Sequence, residues 1–291
     1  MFQLTKLRKE IDFNKEIGGI INVLRGVASS EFYRLQKARK KLDEFIDYLQ
    51  EFFQMLDIRD CRHLFLENSP LRPAIVLVTS DIGFLGKLNV SIVNSALEQC
   101  SGNEELIVVG RQGAKYIAEA GREFSLFSGI DNEVEYKQAE DLADFIVRGF
   151  LDKKFGRTII VYPQFVSFAV WKVQIYQVLP CRFLFRFIGE NSAGGEEKVI
   201  VEPELNKVIT YLVKIWMSYV LYGIFWESKL SEWSARVMHL EGSSDEIKQI
   251  DKKLRFQYFR ILHEISDKNV REVLSSRLAV ERMKKTVKPL N

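Results

Sequence analysis

The segment whose residue types come closest to chemistry is Ser80-Asp81-Ile82-Gly83-Phe84-Leu85-Gly86-Lys87. It follows the apolar run Ala74-Ile75-Val76-Leu77-Val78-Thr79 and precedes a helical pattern that starts at Asn89. Glycines and a lysine between a strand and a helix are the setting for a phosphate cradle, because backbone N–H groups there converge on an anion. The spacing does not fit. Asp81 stands where the first glycine of a phosphate-binding loop belongs, and Leu88 stands where a Ser or Thr would hold magnesium. A carboxylate at the mouth of the loop repels phosphate, so the glycines read as a tight strand-to-helix turn. The dinucleotide pattern G-x-G-x-x-G is absent as well.

The other reactive residue types are scattered. His63, His239 and His263 have no partner at metal or triad spacing. Cys61, Cys100 and Cys181 are odd in number and far apart, which argues against a disulfide framework or a zinc site and for reduced thiols. The pairs Glu196-Glu197 and Asp141/Asp144 read as solvated charges. Trp216, Tyr219, Tyr222, Phe225, Trp226 and Trp233 have helical spacing and read as core packing, not ligand stacking. No catalytic residue, cofactor site or metal site is expected. With 42 Lys+Arg against 39 Asp+Glu, the net charge of +3 is too small to argue for nucleic acid.

Three zones position these residues. From about Leu4 to Leu56, the positions Leu7, Ile11, Ile21, Ala28, Phe32, Leu35, Leu42, Ile46, Leu49, Phe53 and Leu56 keep one alternating 3-4 register, with gaps at Asn14, Gly18, Arg25 and Arg39. That spacing makes a seam for a partner helix, and a helix of this length spans roughly 75–80 Å. No secretory signal or transit peptide is legible at the start.

The middle zone alternates strands and helices: strands at 74–79, 106–110, 158–162 and 183–187, helices at 89–99, 115–120 and 139–155. Such alternation predicts a mostly parallel sheet. A polar, Gly-rich break at Asn191 to Lys198 ends it. After Pro203 the helical period returns at Leu205, Val208, Leu212, Ile215, Trp216 and Tyr219. It passes a weak point at Gly242-Ser243-Ser244 and resumes from Ile247 to Ile265. The apolar stretch from Val208 to Leu230, broken by Lys214, Glu227 and Lys229, reads as a buried helix and not a membrane span.

The expected fold class is therefore α/β plus long α: an antiparallel coiled coil of N- and C-terminal helices with an inserted Rossmann-like α/β domain. The segments are 1–58 (first long helix), 72–190 (globular foot) and 200–291 (second long helix).

Four places resemble the gamma subunit of F-type ATP synthases, in order and over nearly the full length. Leu7-Arg8-Lys9-Glu10-Ile11, followed by Val23-Leu24-Arg25-Gly26-Val27-Ala28-Ser29, resembles that family's first helix. Thr79 to Asn89 resembles "S-S-D-R-G-L-C-G-G-L-N". Leu106-Ile107-Val108-Val109-Gly110 with Gly113 resembles "V-x-G-x-K-G". Most specific is Glu227-Ser228-Lys229-Leu230-Ser231-Glu232-Trp233-Ser234-Ala235-Arg236-Val237-Met238, similar to "E-S-x-A-S-E-x-A-A-R-M". Departures at Ile82, Lys87, Leu24-Arg25-Gly26 and Leu240 to Asp245 mark a divergent lineage. Candidates are the alternate, often sodium-linked F-type ATPases and a repurposed F-type-like motor.

The resemblance implies a non-catalytic rotor that couples ion flow to ATP synthesis or hydrolysis. Its partners would be a ring of catalytic and non-catalytic nucleotide-binding subunits, an epsilon-like subunit and the membrane ion-carrying ring. It would lie peripherally at the cytoplasmic face of the cell membrane. The same resemblance points to Arg25, Glu232 and Arg236 as contacts between rotor and ring. Two rivals compete: a Rossmann-like nucleotide-binding enzyme with helical arms, and a coiled-coil scaffold unrelated to rotary motors.

Overall fold

The computed structural model of the chain describes residues 2–38, 46, 48, 49, 51–53, 56, 62–185, 202 and 204–286. Helix α1 runs over Phe2–Ala38. Residues 46, 48, 49 and 51–53 are helical too, while the intervening 39–45, expected in the same helix, lie outside the described residues. The polar break expected at 191–198 also lies outside them.

Five strands follow: β1 (Pro73–Val78), β2 (Glu105–Val109), β3 (Ser125–Phe127), β4 (Arg157–Ser167) and β5 (Val170–Leu179). The helices among them are α2 (Leu88–Glu98), α3 (Arg111–Glu119) and α4 (Tyr136–Leu151). A single helix of 82 residues, α5 (Leu205–Thr286), completes the chain.

The sheet has the order β3-β2-β1-β4-β5. The pairs β1–β2, β1–β4 and β2–β3 are parallel, and β4–β5 is antiparallel. Successive side chains of a strand point to opposite faces, and β1 divides accordingly. Ile75 and Leu77 join Ile159 and Val161 against Leu88, Ile92 and Ala96 of α2 and Ile117 of α3. Ala74, Val76 and Val78 join Val109 and Ile160 on the other face. There they meet Leu142, Ile146 and Phe150 of α4, Phe32 and Leu35 of α1, and Trp216, Met217 and Leu221 of α5. Both faces are covered, which is why β1 and β2 read as unbroken apolar runs.

By length and composition, α5 contains a window apolar enough to cross a membrane. In this fold Ile209, Val213, Trp216, Met217, Leu221 and Phe225 of that helix are buried in the core of the α/β unit.

The chain forms two compact units, Val27–His239 and Met1–Gly26 with Leu240–Asn291. Within the second, α1 and α5 run antiparallel. Arg25 pairs with Glu241, and a Cβ on Gly18 would lie in ordinary contact, 3.6 Å from Ile247 Cγ2. Gln3, Lys6, Leu7 and Glu10 share a groove with Gln257, Arg260, Ile261 and Glu264. Numbers rise along one helix as they fall along the other. Gly242, Ser243 and Ser244 do not interrupt α5; a single helical glycine costs only about 1 kcal/mol, which the flanking seam outweighs.

Three strand assignments differ from the sequence expectation. The fourth strand expected at 183–187 is a 3₁₀ turn over Arg182–Leu184, closed by Leu184 N–H on Cys181 O (3.0 Å) and Phe185 N–H on Arg182 O (3.2 Å). Residues 186 and 187 lie outside the described residues. Leu184 and Phe185 are apolar because they are buried in the core, the Phe185 ring centroid lying 5.2 Å from that of Phe53, whereas Phe183 is largely exposed and only its ring edge approaches Trp216, at 5.9 Å between centroids. A short apolar run does not by itself separate strand from turn. The sequence reading placed no strand at β3, which is three residues long. It placed none at β5 either; this edge strand follows a turn at Phe168-Ala169 that lacks the glycine or asparagine marking most hairpins.

Candidate functional site

The turn after β1 lies where a parallel sheet of this kind would offer a phosphate its cradle, at the strand ends and beside a helix N-terminus. Here the chain fills that position itself. Asp81 Oδ1 accepts a hydrogen bond from the backbone N–H of Arg111, the first residue of α3, at 2.8 Å. The Arg111 guanidinium lies 3.6 Å from the same oxygen. Gly129 makes room, since a Cβ there would lie 2.4 Å from the Asp81 carboxyl carbon. The positive end of α3 is thus satisfied by an internal carboxylate.

The rest of the turn is closed in the same way. Thr79 Oγ1 donates to Val109 O at 2.7 Å and accepts from Gly113 N–H at 3.1 Å. Gly110 has φ +97°, and a Cβ there would lie 2.4 Å from Thr79 O, so only glycine fits. Asn89 takes Ser80 N–H on Oδ1 (3.2 Å) and donates to Ser80 Oγ (2.9 Å). This geometry disfavours the nucleotide-binding rival on physical grounds, since an entering phosphate would have to expel Asp81.

The scattered reactive residues are held in structural roles. His63 accepts Phe65 N–H on Nδ1 (3.2 Å), so its Nε2 carries the proton toward Thr210 Oγ1 (2.9 Å). Burial lowers its pKa. Burial pushes the Cys181 thiol up to about 12 and raises that of Cys100; neither is a thiolate nucleophile at neutral pH. Cys61 lies outside the described residues. A cleft of about 600 Å³ between α4 and the sheet is lined by charges of both signs, including Arg72, Glu105, Asp144 and Arg148. These neutralise one another: Arg72 meets Glu105 at 2.7 Å and Arg148 meets Asp144 at 3.6 Å, and Lys214, from α5, also reaches Asp144 at 2.8 Å.

Of the three residues singled out for contact, the structure brings two together. Glu232 and Arg236, one turn apart on α5, pair at 2.7 Å. Both are buried, at 5% and 6% exposure. The other Glu232 oxygen takes Lys229 Nζ at 3.0 Å, and Lys229 also donates to Ile130 O at 2.8 Å. The Arg236 guanidinium lies over the Trp233 ring, 4.2 Å from its centroid. Arg25 belongs to the other compact unit, where its side chain is 34% exposed and pairs with Glu241. Lys229 was not singled out from sequence. Its spacing of three before Glu232, with Arg236 four after, is the signal that points to it.

A family model described as ATP synthase matches residues 3–267. Among curated relatives, the ATP synthase gamma chain of Desulforudis audaxviator is 25% identical over 96% of this chain and 99% of its own. That of Mycoplasma capricolum is 22% identical over 94% of this chain and 98% of its own. Among solved structures, a chain of the Euglena gracilis mitochondrial ATP synthase (OSCP/F1/c-ring) matches with TM-score 0.71, covering 99% of this chain and 97% of that one at 15% identity. A chain of the Tetrahymena thermophila mitochondrial ATP synthase central stalk/c-ring matches with TM-score 0.59, covering 77% and 99% at 22% identity. With its antiparallel helix pair and its self-filled turn, the chain belongs to the ATP synthase family, as a gamma-type rotor subunit that is not itself catalytic.

Proposed function

We propose that this chain turns inside a ring of catalytic and non-catalytic nucleotide-binding subunits. Its α/β foot would stand on an epsilon-like subunit and a membrane ion-carrying ring, peripheral to the cytoplasmic face of the cell membrane. Segments 1–58 and 200–291 form the axle in this reading, and 72–190 the foot. One observation carries it. Every described residue of α5 from Ser266 to Arg282 is exposed, yet Val270, Val273, Leu274 and Leu278 recur at helical spacing with 54–60% of their surface in solvent. A helix whose apolar face is exposed in this way calls for a sleeve supplied by other chains.

Rotation works on the ring by presenting different faces of the axle to successive subunits. A partner shifts a conformational equilibrium only by contacting its states unequally. Arg25 keeps part of its charge accessible and is proposed as a direct ring contact. Glu232 and Arg236 spend their charges inside the chain and are proposed to serve the ring through the path they give α5.

Co-expression with nucleotide-binding ring subunits of an F-type complex tests the reading. The tagged chain should retain the ring through a high-salt wash. Recovery of the chain alone, folded and without the ring, would refute it.

A further inference from the structure

We propose that the loop between β3 and α4, residues 128–135, is the joint through which the foot drives both long helices, and that Lys229 is its pin. This rests on the rotor reading and adds to it where torque crosses from one part of the subunit to another.

The loop is anchored in the foot at its base. Gln138 Nε2 of α4 donates to Gly129 O at 2.7 Å and to Ser128 Oγ at 3.1 Å. Gly129 sits against the Asp81 carboxylate that caps α3. Ile130 and Val134 are buried in the core, each at 7% exposure. From this base the loop presents two carbonyls to two helices. Ile130 O takes Lys229 Nζ of α5 at 2.8 Å. Asn132 O takes an Arg34 nitrogen of α1 at 3.0 Å, and Glu31 holds Arg34 in place at 2.8 Å.

The chemistry of these grips suits shear. Apolar contacts are non-directional and let surfaces slide. Hydrogen bonds from charged donors are short and directional, and they resist displacement across their axis. Lys229 is 4% exposed, and a buried ammonium is costly unless its bonds are filled. Glu232 and Ile130 O supply partners, and Arg236 braces Glu232 from the next turn. Ser231 Oγ, donating to Pro163 O at 3.1 Å, adds a tie from α5 to β4. Lys229 falls on the open position of the motif E-S-x-A-S-E, so the pin belongs to this chain's own sequence.

The test uses the chain assembled with its ring. The ring is immobilised, and a gold rod is attached to a cysteine introduced at exposed Asn103 of the foot. The readout is the angular variance of the rod while the motor waits for ATP. Variance is inverse to stiffness, so removing one of the two charged grips on the loop raises the variance arising at this joint by up to about two-fold. Lys229→Met and the half-exposed Arg34→Ala should each raise it, with ATP turnover under no load unchanged. A merely structural role for Lys229 would lower the melting temperature and leave the variance as it was. Unchanged variance in both variants overturns the proposal. Failure of the unmodified chain to rotate in its ring would remove the rotor reading and this inference with it.

Discussion

Replacing Glu232 by alanine strands two buried cations. Lys229 and Arg236 are 4% and 6% exposed, and Glu232 is the carboxylate that pairs with both of them. Removing one partner of a buried ion pair costs about 3–5 kcal/mol. The lower end applies here, because Lys229 keeps Ile130 O and Arg236 keeps the Trp233 ring. Taking about 3 kcal/mol and a urea slope near 2 kcal/mol/M, the midpoint should fall by roughly 1.5 M. All four tryptophans, at 171, 216, 226 and 233, lie in the unit Val27–His239, so intrinsic fluorescence reports on that unit. The control is Lys229→Met with Glu232→Leu and Arg236→Met together. Apolar replacement of a whole buried triad is often neutral, so its midpoint should stay within about 0.5 M of the original. A shift below about 0.5 M for Glu232→Ala, or a triple variant as unstable as the single, would refute the reasoning.

Asp81→Ala should loosen the start of α3 by about 0.5–2 kcal/mol, the usual worth of such a cap; unchanged hydrogen exchange at the Arg111 to Gly113 amides would count against it. His63 has a folded pKa below its ordinary 6.5. Between the two values the unfolded chain binds a proton that the folded chain resists, so stability is full above pH 6.5 and declines as pH drops. His63→Gln should flatten that slope in urea titrations, and a slope unaltered by the change would place its origin elsewhere. Leu274→Ser with Leu278→Ser should leave the isolated chain within about 0.5 kcal/mol of wild type, because both are exposed, yet weaken retention of the ring in pull-downs. Equal retention would sink the sleeve.

The long helices were legible because each keeps a single apolar register over many turns. Leu7, Ile11, Ile21, Ala28, Phe32 and Leu35, which share one register in sequence, are each half-buried or buried. Strands β1 and β2 were legible as unbroken apolar runs, since helices cover both faces of the sheet. β5 was not, because an edge strand half open to solvent mixes Lys172, Gln174 and Gln177 with apolar residues. Leu184 and Phe185 misled for the opposite reason: burial in a turn selects the same residue types as burial in a strand. At the candidate site, sequence gave Asp81 as an obstacle to phosphate but not as the cap of α3, a contact across 30 positions. Glu232 and Arg236 were found by resemblance. That they face each other and Lys229, rather than solvent, depends on how α5 lies against Ile130, which no local spacing encodes.

The measurement that bears most directly on the whole account is rotation itself. The chain, carrying a rod on its foot, is assembled with an immobilised nucleotide-binding ring and supplied with ATP. The account requires the rod to turn in one direction and to halt when ATP is withdrawn. A rod that only fluctuates about a fixed angle, on a complex that still hydrolyses ATP, would contradict it.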